Sequence, residues 1–194
     1  ARELEGTTGM PYISGYNDYD VIAGQGTIGL EILKERSDID TIIVPVGGGG
    51  LISGIVIAAK STNPKIRVIG VQSTASPVMY ESLKAGRIIE MELEDSIAEG
   101  LHGGIEKDSV TFNLVKNYVD EILLVNESEI RRAIKLLYEH HNKQIAEGSG
   151  AVGLAALMRY KEQFKNHKNA VIVSGGNIDS SLLEKILNEQ KWTS

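Results

Sequence analysis

The 194-residue sequence contains no cysteine, and its basic residues form no block. Without cysteine the chain can have no disulfide framework, no thiolate zinc site and no cysteine nucleophile. Its 20 Lys and Arg residues against 26 Asp and Glu residues give a net charge of −6. Nucleic acids and anionic membranes attract positive charge, so this balance argues against both as partners. We therefore expect a small-molecule ligand.

Long apolar runs are also absent. None reaches the roughly 20 residues that a membrane-spanning helix needs, and the opening stretch ARELEGTTGM has no apolar core of the signal-peptide kind. We expect a cytoplasmic localisation. With 42% hydrophobic and 24% charged residues, the composition is that of one ordinary globular domain.

Short runs rich in Val and Ile alternate with longer segments of helical pattern. The runs lack strict polar alternation, which is typical of parallel strands covered on both faces. The predicted strands are 41–46, 66–71, 121–125 and 170–174, and residues 11–14 (PYIS) are a further short strand candidate. The predicted helices are 27–35, 51–60, 77–85, 128–143, 151–164 and 180–188. This order predicts an α/β fold with an open, mostly parallel twisted sheet and helices on both faces.

Four consecutive glycines, Gly47 to Gly50, follow the first predicted strand and precede a helix. Glycine loses more backbone freedom on folding than any other residue, so a run of four needs a physical reason. Backbone amides at such a helix N-terminus suit a phosphate, and glycines let its oxygens come within hydrogen-bond reach. The alternative is a tight and flexible turn, but the strand, glycine and helix pattern favours a phosphate site.

The residues after the glycines narrow the choice of phosphate. A nucleotide P-loop would have Lys followed by Ser or Thr, where this chain has Leu51 and Ile52. A dinucleotide fingerprint would have its last glycine at Ser53 and an acidic residue at Gln72. A monophosphate remains, and pyridoxal phosphate is the common cofactor of that kind.

A second glycine-bearing stretch, VIVSGGNID, ends the fourth predicted strand. It places Ser174 at the carboxyl end of a strand, where α/β sheets bind ligands. Taken alone, a serine at that place is more typical of a helix or turn cap.

Several stretches resemble the fold-type II pyridoxal-phosphate enzymes, most closely the threonine and serine dehydratases with serine racemase. They are DVIAGQGTIGLEI (20–32), IIVPVGGGGLISGI (42–55), IAEGL (97–101), YVDEILLV (118–125), AEGSGAVGLAAL (146–157) and VIVSGGNID (171–179). The resemblance implies the tryptophan synthase β-like large-domain fold. It also implies a full-length L-threonine dehydratase that forms 2-oxobutanoate and ammonia and acts on L-serine as well. The alternatives are a serine racemase or other serine dehydratase, and a non-catalytic module that binds pyridoxal phosphate.

The resemblance assigns roles to individual residues. The cofactor phosphate is held by the amides of Gly47, Gly48, Gly49, Gly50 and Leu51. The Ser174 hydroxyl faces the pyridine nitrogen, and Gly100 matches a glycine beside the cofactor, although it could be a plain turn glycine. Glu147 matches an acidic position near the ring, and its alternative role is that of a charge at a helix N-terminus.

No metal site is predicted. The histidines lack the helical i,i+4 spacing of a zinc pair. Relatives of the serine racemase type have two acidic residues where this chain has Gln72 and Val78, so a divalent-cation site is not expected there.

The resemblance also identifies what the chain lacks. The Schiff-base lysine of the family lies in a Ser-x-Lys-x-Arg-Gly motif, which this sequence does not contain. We therefore expect a C-terminal portion, inactive alone, with residues 1–20 as the end of the smaller domain and its linker and residues 21–194 as an incomplete cofactor-binding large domain. The expected partners are an amino-acid substrate, the missing N-terminal part of the same enzyme, and identical subunits in a homo-oligomer.

Overall fold

A computed structural model describes residues 1–189, in which helices and strands alternate along the chain. The helices are α1 (Arg2–Thr8), α2 (Tyr19–Glu35), α3 (Gly50–Thr62), α4 (Val78–Ala85), α5 (Val110–Tyr118), α6 (Glu127–His140), α7 (Gly148–Arg159), α8 (Lys161–Phe164) and α9 (Ser180–Asn188). The strands are β1 (Thr41–Pro45), β2 (Arg67–Ser73), β3 (Glu121–Val125) and β4 (Asn169–Val171). A short 3₁₀ turn occupies Glu99–Leu101.

The four strands form one parallel sheet in the order β3-β2-β1-β4. In register, Ile43 of β1 lies opposite Ile69 of β2 and Val171 of β4. The predicted open parallel sheet is confirmed. Since parallel strands end at the same edge, the loops after β1 and β4 lie side by side.

Helices cover both faces of the sheet, and this explains why β1 is apolar along its whole length. Ile42 and Val44 belong to an apolar cluster that includes residues of α3 and α5. Ile43, between them, belongs to a second cluster that includes residues of α6 and α7. All five residues of β1 are buried, because successive side chains point to opposite, equally covered faces.

Helices α2 and α3 pack backbone against backbone. A Cβ atom on Gly26 would lie 3.1 Å from the Gly54 carbonyl oxygen, and one on Gly54 would overlap the Ile22 carbonyl. A Cβ on Gly29 would lie 3.0 Å from the Ile55 carbonyl oxygen. The glycines of the AGQGTIG stretch therefore permit a close crossing that fixes α3 and the glycine loop before it.

Two predictions near the start of the chain are wrong. Residues 11–14 (PYIS) form no strand. Helix α2 begins at Tyr19 instead of Thr27, and the Asp18 carboxylate caps it by accepting hydrogen bonds from the amides of Asp20 and Val21. Helices α1 and α5 are not predicted at all.

Other element boundaries also differ from prediction. Helix α6 begins at Glu127 and ends at His140 instead of spanning 128–143, and Asn126 caps it in a reciprocal capping box with Glu129. The predicted helix 151–164 is interrupted at Tyr160, and β4 ends at Val171 instead of Ser174. Within residues 1–189, no helix combines the length and apolarity that crossing a bilayer requires.

Candidate cofactor site

A cleft of about 600 Å³ opens at the carboxyl ends of β1 and β4. All eight residues predicted for a cofactor site line it: Gly47, Gly48, Gly49, Gly50, Leu51, Gly100, Glu147 and Ser174. Seven further residues that the sequence did not single out also line it: Gly15, Tyr16, Gln25, Ile28, Pro45, Leu101 and Ser149. The structure thus brings the predicted residues together, and the volume of the cleft is typical of a small-molecule site.

The glycine loop connects the end of β1 to the first turn of α3. Gly49 occupies the N-cap position with φ of 91°, and no side chain caps the helix. The first amides of a helix have no intrahelical acceptor, and they lie at the positive end of its dipole. The residues that carry these amides line the cleft, so the loop has the chemistry of an anion site.

The structure gives a second reason for the glycines. A Cβ atom on Gly48 would lie 2.5 Å from the Tyr16 ring, and one on Gly50 would lie 2.8 Å from Tyr16 Cα. A Cβ on Gly47 would lie 3.2 Å from the backbone of Leu101. A phosphate ligand was the favoured reason for the missing side chains, but the closest approach to Gly48 and Gly50 in the structure comes from Tyr16 of this chain.

Tyr16 is held in place by the loop that precedes α5. Its hydroxyl accepts a hydrogen bond from the Glu106 amide at 2.9 Å, and burial raises the pKa of its phenol. Next to it, Asn17 Oδ1 accepts from the Val110 amide at 2.9 Å, and Ser14 Oγ donates to the Glu106 carboxylate at 2.8 Å. Residues 14–17 are therefore fixed as one wall of the cleft.

Thr111 of α5 supports the glycine loop. Its side chain is fully buried, and its hydroxyl donates to the Gly48 carbonyl at 2.6 Å. This bond orients the peptide that follows Gly48. No motif in the sequence marks Thr111, because its partner lies 63 positions away in the chain.

The opposite wall joins the start of α7 to the loop after β4. The Glu147 amide donates to the Gly175 carbonyl at 3.0 Å, and Glu147 Oε2 accepts from the Asn177 amide at 3.0 Å. Although Glu147 occupies the N-cap position of α7, its side chain does not cap that helix. Its carboxylate instead fixes the SGGN loop beside the cleft.

Ser174 lies three residues beyond the last residue of β4 and is exposed at the cleft. It is not the cap of the following helix, because the Asp179 carboxylate caps α9. The helix-cap alternative for Ser174 is therefore wrong, and its place at the cleft agrees with the position that the resemblance implies.

Gly100 lies in the 3₁₀ turn, where a side chain would not fit. A Cβ atom there would come within 2.9 Å of Ser149 Oγ and 3.2 Å of Glu147 Oε1. The turn is positioned by Glu127, whose carboxylate accepts from the Ser96 hydroxyl at 2.6 Å and from the Ile97 amide at 2.8 Å. Gly100 is therefore packed tightly and is more than a plain turn glycine.

The residues considered for a metal have other roles. The Gln72 side chain is buried, donates to the Ser76 carbonyl at 3.4 Å and accepts from the Tyr80 amide at 2.8 Å, which closes the loop between β2 and α4. Val78 is buried in the apolar core. Across the part of the chain that the structure describes, no three His, Cys, Asp or Glu side chains are grouped closely enough to hold a metal ion.

Comparison with known proteins identifies relatives over nearly the whole chain. The model of a family described as pyridoxal-phosphate dependent enzyme matches residues 1–176. The L-threonine ammonia-lyase of Thermotoga maritima is 47% identical over 190 residues, which are 97% of this chain and 46% of that protein. The catabolic L-threonine dehydratase of Escherichia coli is 44% identical over 186 residues, 95% of this chain and 56% of that protein.

Solved structures agree with these relatives. The processed form of threonine deaminase isoform 2 from Solanum lycopersicum is 36% identical with a TM-score of 0.90, covering 96% of this chain and 54% of that one. Maize serine racemase is 36% identical with a TM-score of 0.87, covering 95% and 56%. The chain therefore spans about half the length of the curated relatives and structures that it matches.

Proposed function

The chain belongs to the pyridoxal-phosphate-dependent enzymes, and from this membership we propose that the full-length protein is an L-threonine ammonia-lyase. It converts L-threonine to 2-oxobutanoate and ammonia, and it acts on L-serine as well. The observation that carries the proposal is the convergence of all eight predicted site residues in one cleft. Relatives named L-threonine ammonia-lyase or dehydratase at 44% and 47% identity support the choice of substrate.

The residues of the cleft fit pyridoxal phosphate. The amides from Gly47 to Leu51 hold the phosphate, since they lie at an uncapped helix N-terminus that faces the cleft. The buried Ser149 hydroxyl, without a hydrogen-bond partner in the described chain, adds a polar group that a ligand can satisfy. Gly100 lines the cleft next to Glu147 and Ser149, and the proposal places it beside the ring.

Ser174 and Glu147 set the polarity around the ring. When bound, the cofactor supplies an electron-withdrawing ring that stabilises negative charge at the α-carbon of the amino acid. Ser174 lines the cleft and would face the ring nitrogen; its hydroxyl is neutral, so it would not hold a proton there as a carboxylate would. This choice favours loss of the β-hydroxyl over return of the proton to the α-carbon. Glu147 keeps the Ser174 loop in place through Asn177.

The lysine that the chemistry requires comes from outside this chain. Among residues 1–189, no lysine lines the cleft. Since the chain spans about half the length of its relatives, the proposal assigns the lysine to the remainder of the protein. The 194-residue chain alone is expected not to turn over threonine.

The proposal also covers domain organisation and assembly. Residues 1–20 form the end of a smaller domain and its linker, and residues 21–194 belong to the large domain. Two observations support this division. The stretch between α1 and α2 is irregular, and apolar side chains are exposed on α1 (Leu4) and on that stretch (Met10 and Ile13). Identical subunits associate into a homo-oligomer, which sedimentation of the full-length protein can test.

The activity is tested on the full-length protein with pyridoxal phosphate and L-threonine. We expect formation of 2-oxobutanoate and a visible absorption band from the bound cofactor, both lost when the cofactor is stripped and restored when it is added back. D-serine formation from L-serine without 2-oxobutanoate formation from threonine would favour a racemase, as maize serine racemase suggests. An absorption band of the bound cofactor without turnover of L-threonine or L-serine would indicate a non-catalytic binding module.

A further inference from the structure

The Ser149 hydroxyl is buried without a hydrogen-bond partner. The residue is 4% exposed, and its Oγ atom has no partner among the residues that the structure describes. Other buried serines are satisfied: Ser73 donates to Glu127, and Ser109 pairs with Thr111. Leaving a buried hydroxyl unpaired costs the free energy of removing it from water without any return. A bound molecule could therefore supply the hydrogen-bond partner that the Ser149 hydroxyl lacks within the described chain.

The surroundings of Ser149 indicate where that partner lies. The residue is in the first turn of α7 and lines the cleft together with Gly100, Glu147 and Ser174. It also lines a second, smaller cavity of about 260 Å³, which shares Gly100 and Glu147 with the cleft. Ser149 thus borders open space beside Gly100 and Glu147.

A second buried serine shows what an unpaired hydroxyl looks like away from the cleft. Ser53 is fully buried in α3, and its Oγ also has no partner within residues 1–189. Unlike Ser149, it is not among the residues that line the cleft. Lack of a partner alone therefore does not define a site, and it is the position of Ser149 at the cleft that points to a ligand.

We propose that Ser149 is a further cofactor-binding residue, whose hydroxyl donates a hydrogen bond to the ring side of pyridoxal phosphate. This inference rests on the proposed function. The contact is assigned to the ring side because Ser149 lies against Gly100 and beside Glu147, the residues that the proposed function places near the ring. The N-terminus of α7 adds a positive potential that favours an oxygen acceptor there.

The test measures cofactor affinity instead of activity. Full-length protein is stripped of cofactor, and pyridoxal phosphate is added back while tryptophan fluorescence or cofactor absorbance is followed. Ser149→Ala should lower the affinity about fivefold, which corresponds to about 1 kcal/mol for one neutral hydrogen bond. The thermal midpoint of the stripped variant should be unchanged or higher, since a buried unpaired hydroxyl has been removed. Ser149→Thr should restore most of the affinity.

Two controls locate the contact. Ser53→Ala should leave the affinity for pyridoxal phosphate unchanged, because that hydroxyl does not reach the cleft. Inorganic phosphate, measured as a competitor, should bind wild type and Ser149→Ala equally. An equal loss for inorganic phosphate would place the contact at the phosphate and overturn the assignment to the ring side.

The remaining outcomes separate this inference from the proposed function. If Ser149→Ala binds pyridoxal phosphate within twofold of wild type, Ser149 is not a binding residue and the inference fails alone. If wild type binds the cofactor but does not turn over threonine, the proposed activity fails while a fivefold loss in the variant still supports Ser149. If wild type does not bind the cofactor, both fail.

Discussion

The ring of Tyr16 lies so close to Gly48 that a Cβ atom on the glycine would come within 2.5 Å of it. Two stretches that are far apart in the sequence thus form one surface of the cleft. Residues 1–20 were expected to belong to a neighbouring unit, yet the end of that stretch forms a wall of the large-domain site. Any change at Gly48 must therefore move Tyr16, the loop, or both.

Gly48→Val should abolish tight cofactor binding. The new side chain meets the Tyr16 ring, and the loop can accommodate it only by moving the amides that hold the phosphate. We expect at least a tenfold loss of affinity for pyridoxal phosphate in the full-length protein, with a matching loss of 2-oxobutanoate formation. Gly24→Ala is the control, since a Cβ there has nothing within 4 Å and alanine favours a helix. Unchanged affinity in Gly48→Val would mean that the loop does not bind the phosphate.

Tyr16→Phe should weaken the fold in a pH-dependent way. The variant loses the hydroxyl that accepts from the Glu106 amide, which costs about 1 kcal/mol of unfolding free energy near neutral pH. Burial raises the pKa of the Tyr16 phenol above the value of about 10 in the unfolded chain. The Glu106 bond itself survives ionisation, but burial penalises the charged phenolate, so the contribution of Tyr16 to stability is full below about pH 10 and decreases as pH rises through the folded-state pKa.

Denaturant unfolding of wild type and Tyr16→Phe, repeated from neutral to alkaline pH, measures this effect. The difference in unfolding free energy between the two proteins should become smaller as the pH rises above about 10. A difference in unfolding free energy that stays constant from neutral pH to well above about pH 10 would show that the phenol of Tyr16 has about the same pKa in the folded and unfolded chains.

The sequence predicted the sheet better than the helices, for physical reasons. Strands β1, β2 and β3 are buried on both faces, and their apolar runs make them visible in the sequence. Helix α2 was predicted to begin at Thr27 because Gly24 and Gly26 weaken helix propensity. Its first turns are stabilised by the close crossing with α3, which no local pattern reveals. Helix α5 was missed since Val110, Thr111 and Phe112 favour strands by propensity.

The site was predicted in part. The glycine run, Ser174, Glu147 and Gly100 were identifiable because each belongs to a motif. Tyr16 and Thr111 were not, since their importance depends on which distant residue they contact. Ser149 lies in the same stretch as Glu147, but only the structure shows that its hydroxyl is buried and unpaired within residues 1–189. Tyr16 contacts Gly48, and the Thr111 hydroxyl donates to the Gly48 carbonyl. Both contacts depend on the packing of the N-terminal segment and of α5 around the glycine loop.

Gln72→Ala should destabilise the protein by about 1–3 kcal/mol. The variant leaves the Tyr80 amide without the buried acceptor that Gln72 provides and opens a cavity at the end of β2. Thermal or denaturant unfolding of the full-length protein checks the loss. Gln144→Ala, at an exposed position, should change stability by no more than about 0.5 kcal/mol. Equal effects from the two variants would contradict the role of Gln72 in closing the loop between β2 and α4.

Acidification should weaken the N-terminus of α9. The hydroxyl of Ser181, followed by the amides of Leu182 and Ser181, lowers the pKa of the Asp179 carboxyl. Since the folded-state pKa is below the unfolded value of about 3.9, this stabilisation is present above that value and is lost as pH falls through the folded-state pKa. The carboxyl resonance of Asp179 in an NMR titration should show the lowered pKa directly.

Asp179→Asn is the matched variant, because asparagine caps a helix about as well as aspartate but does not titrate in this range. The variant should keep α9 intact near neutral pH and lose less stability than wild type under acid conditions. An identical acid dependence in both proteins would show that Asp179 makes no contribution to it.

The uncapped start of α3 has a consequence for how the cleft can be tuned. The glycine loop presents only peptide N–H groups, which do not ionise in the range in which proteins stay folded. The affinity of the loop for an anion therefore depends on the ionisation of the anion itself. The four glycines have no side chain that a substitution could replace with a similar one. Because a side chain added at Gly48 or Gly50 would collide with Tyr16, small adjustments of the loop's affinity come from the residues behind it, and Tyr16 and Thr111 are two that contact it directly.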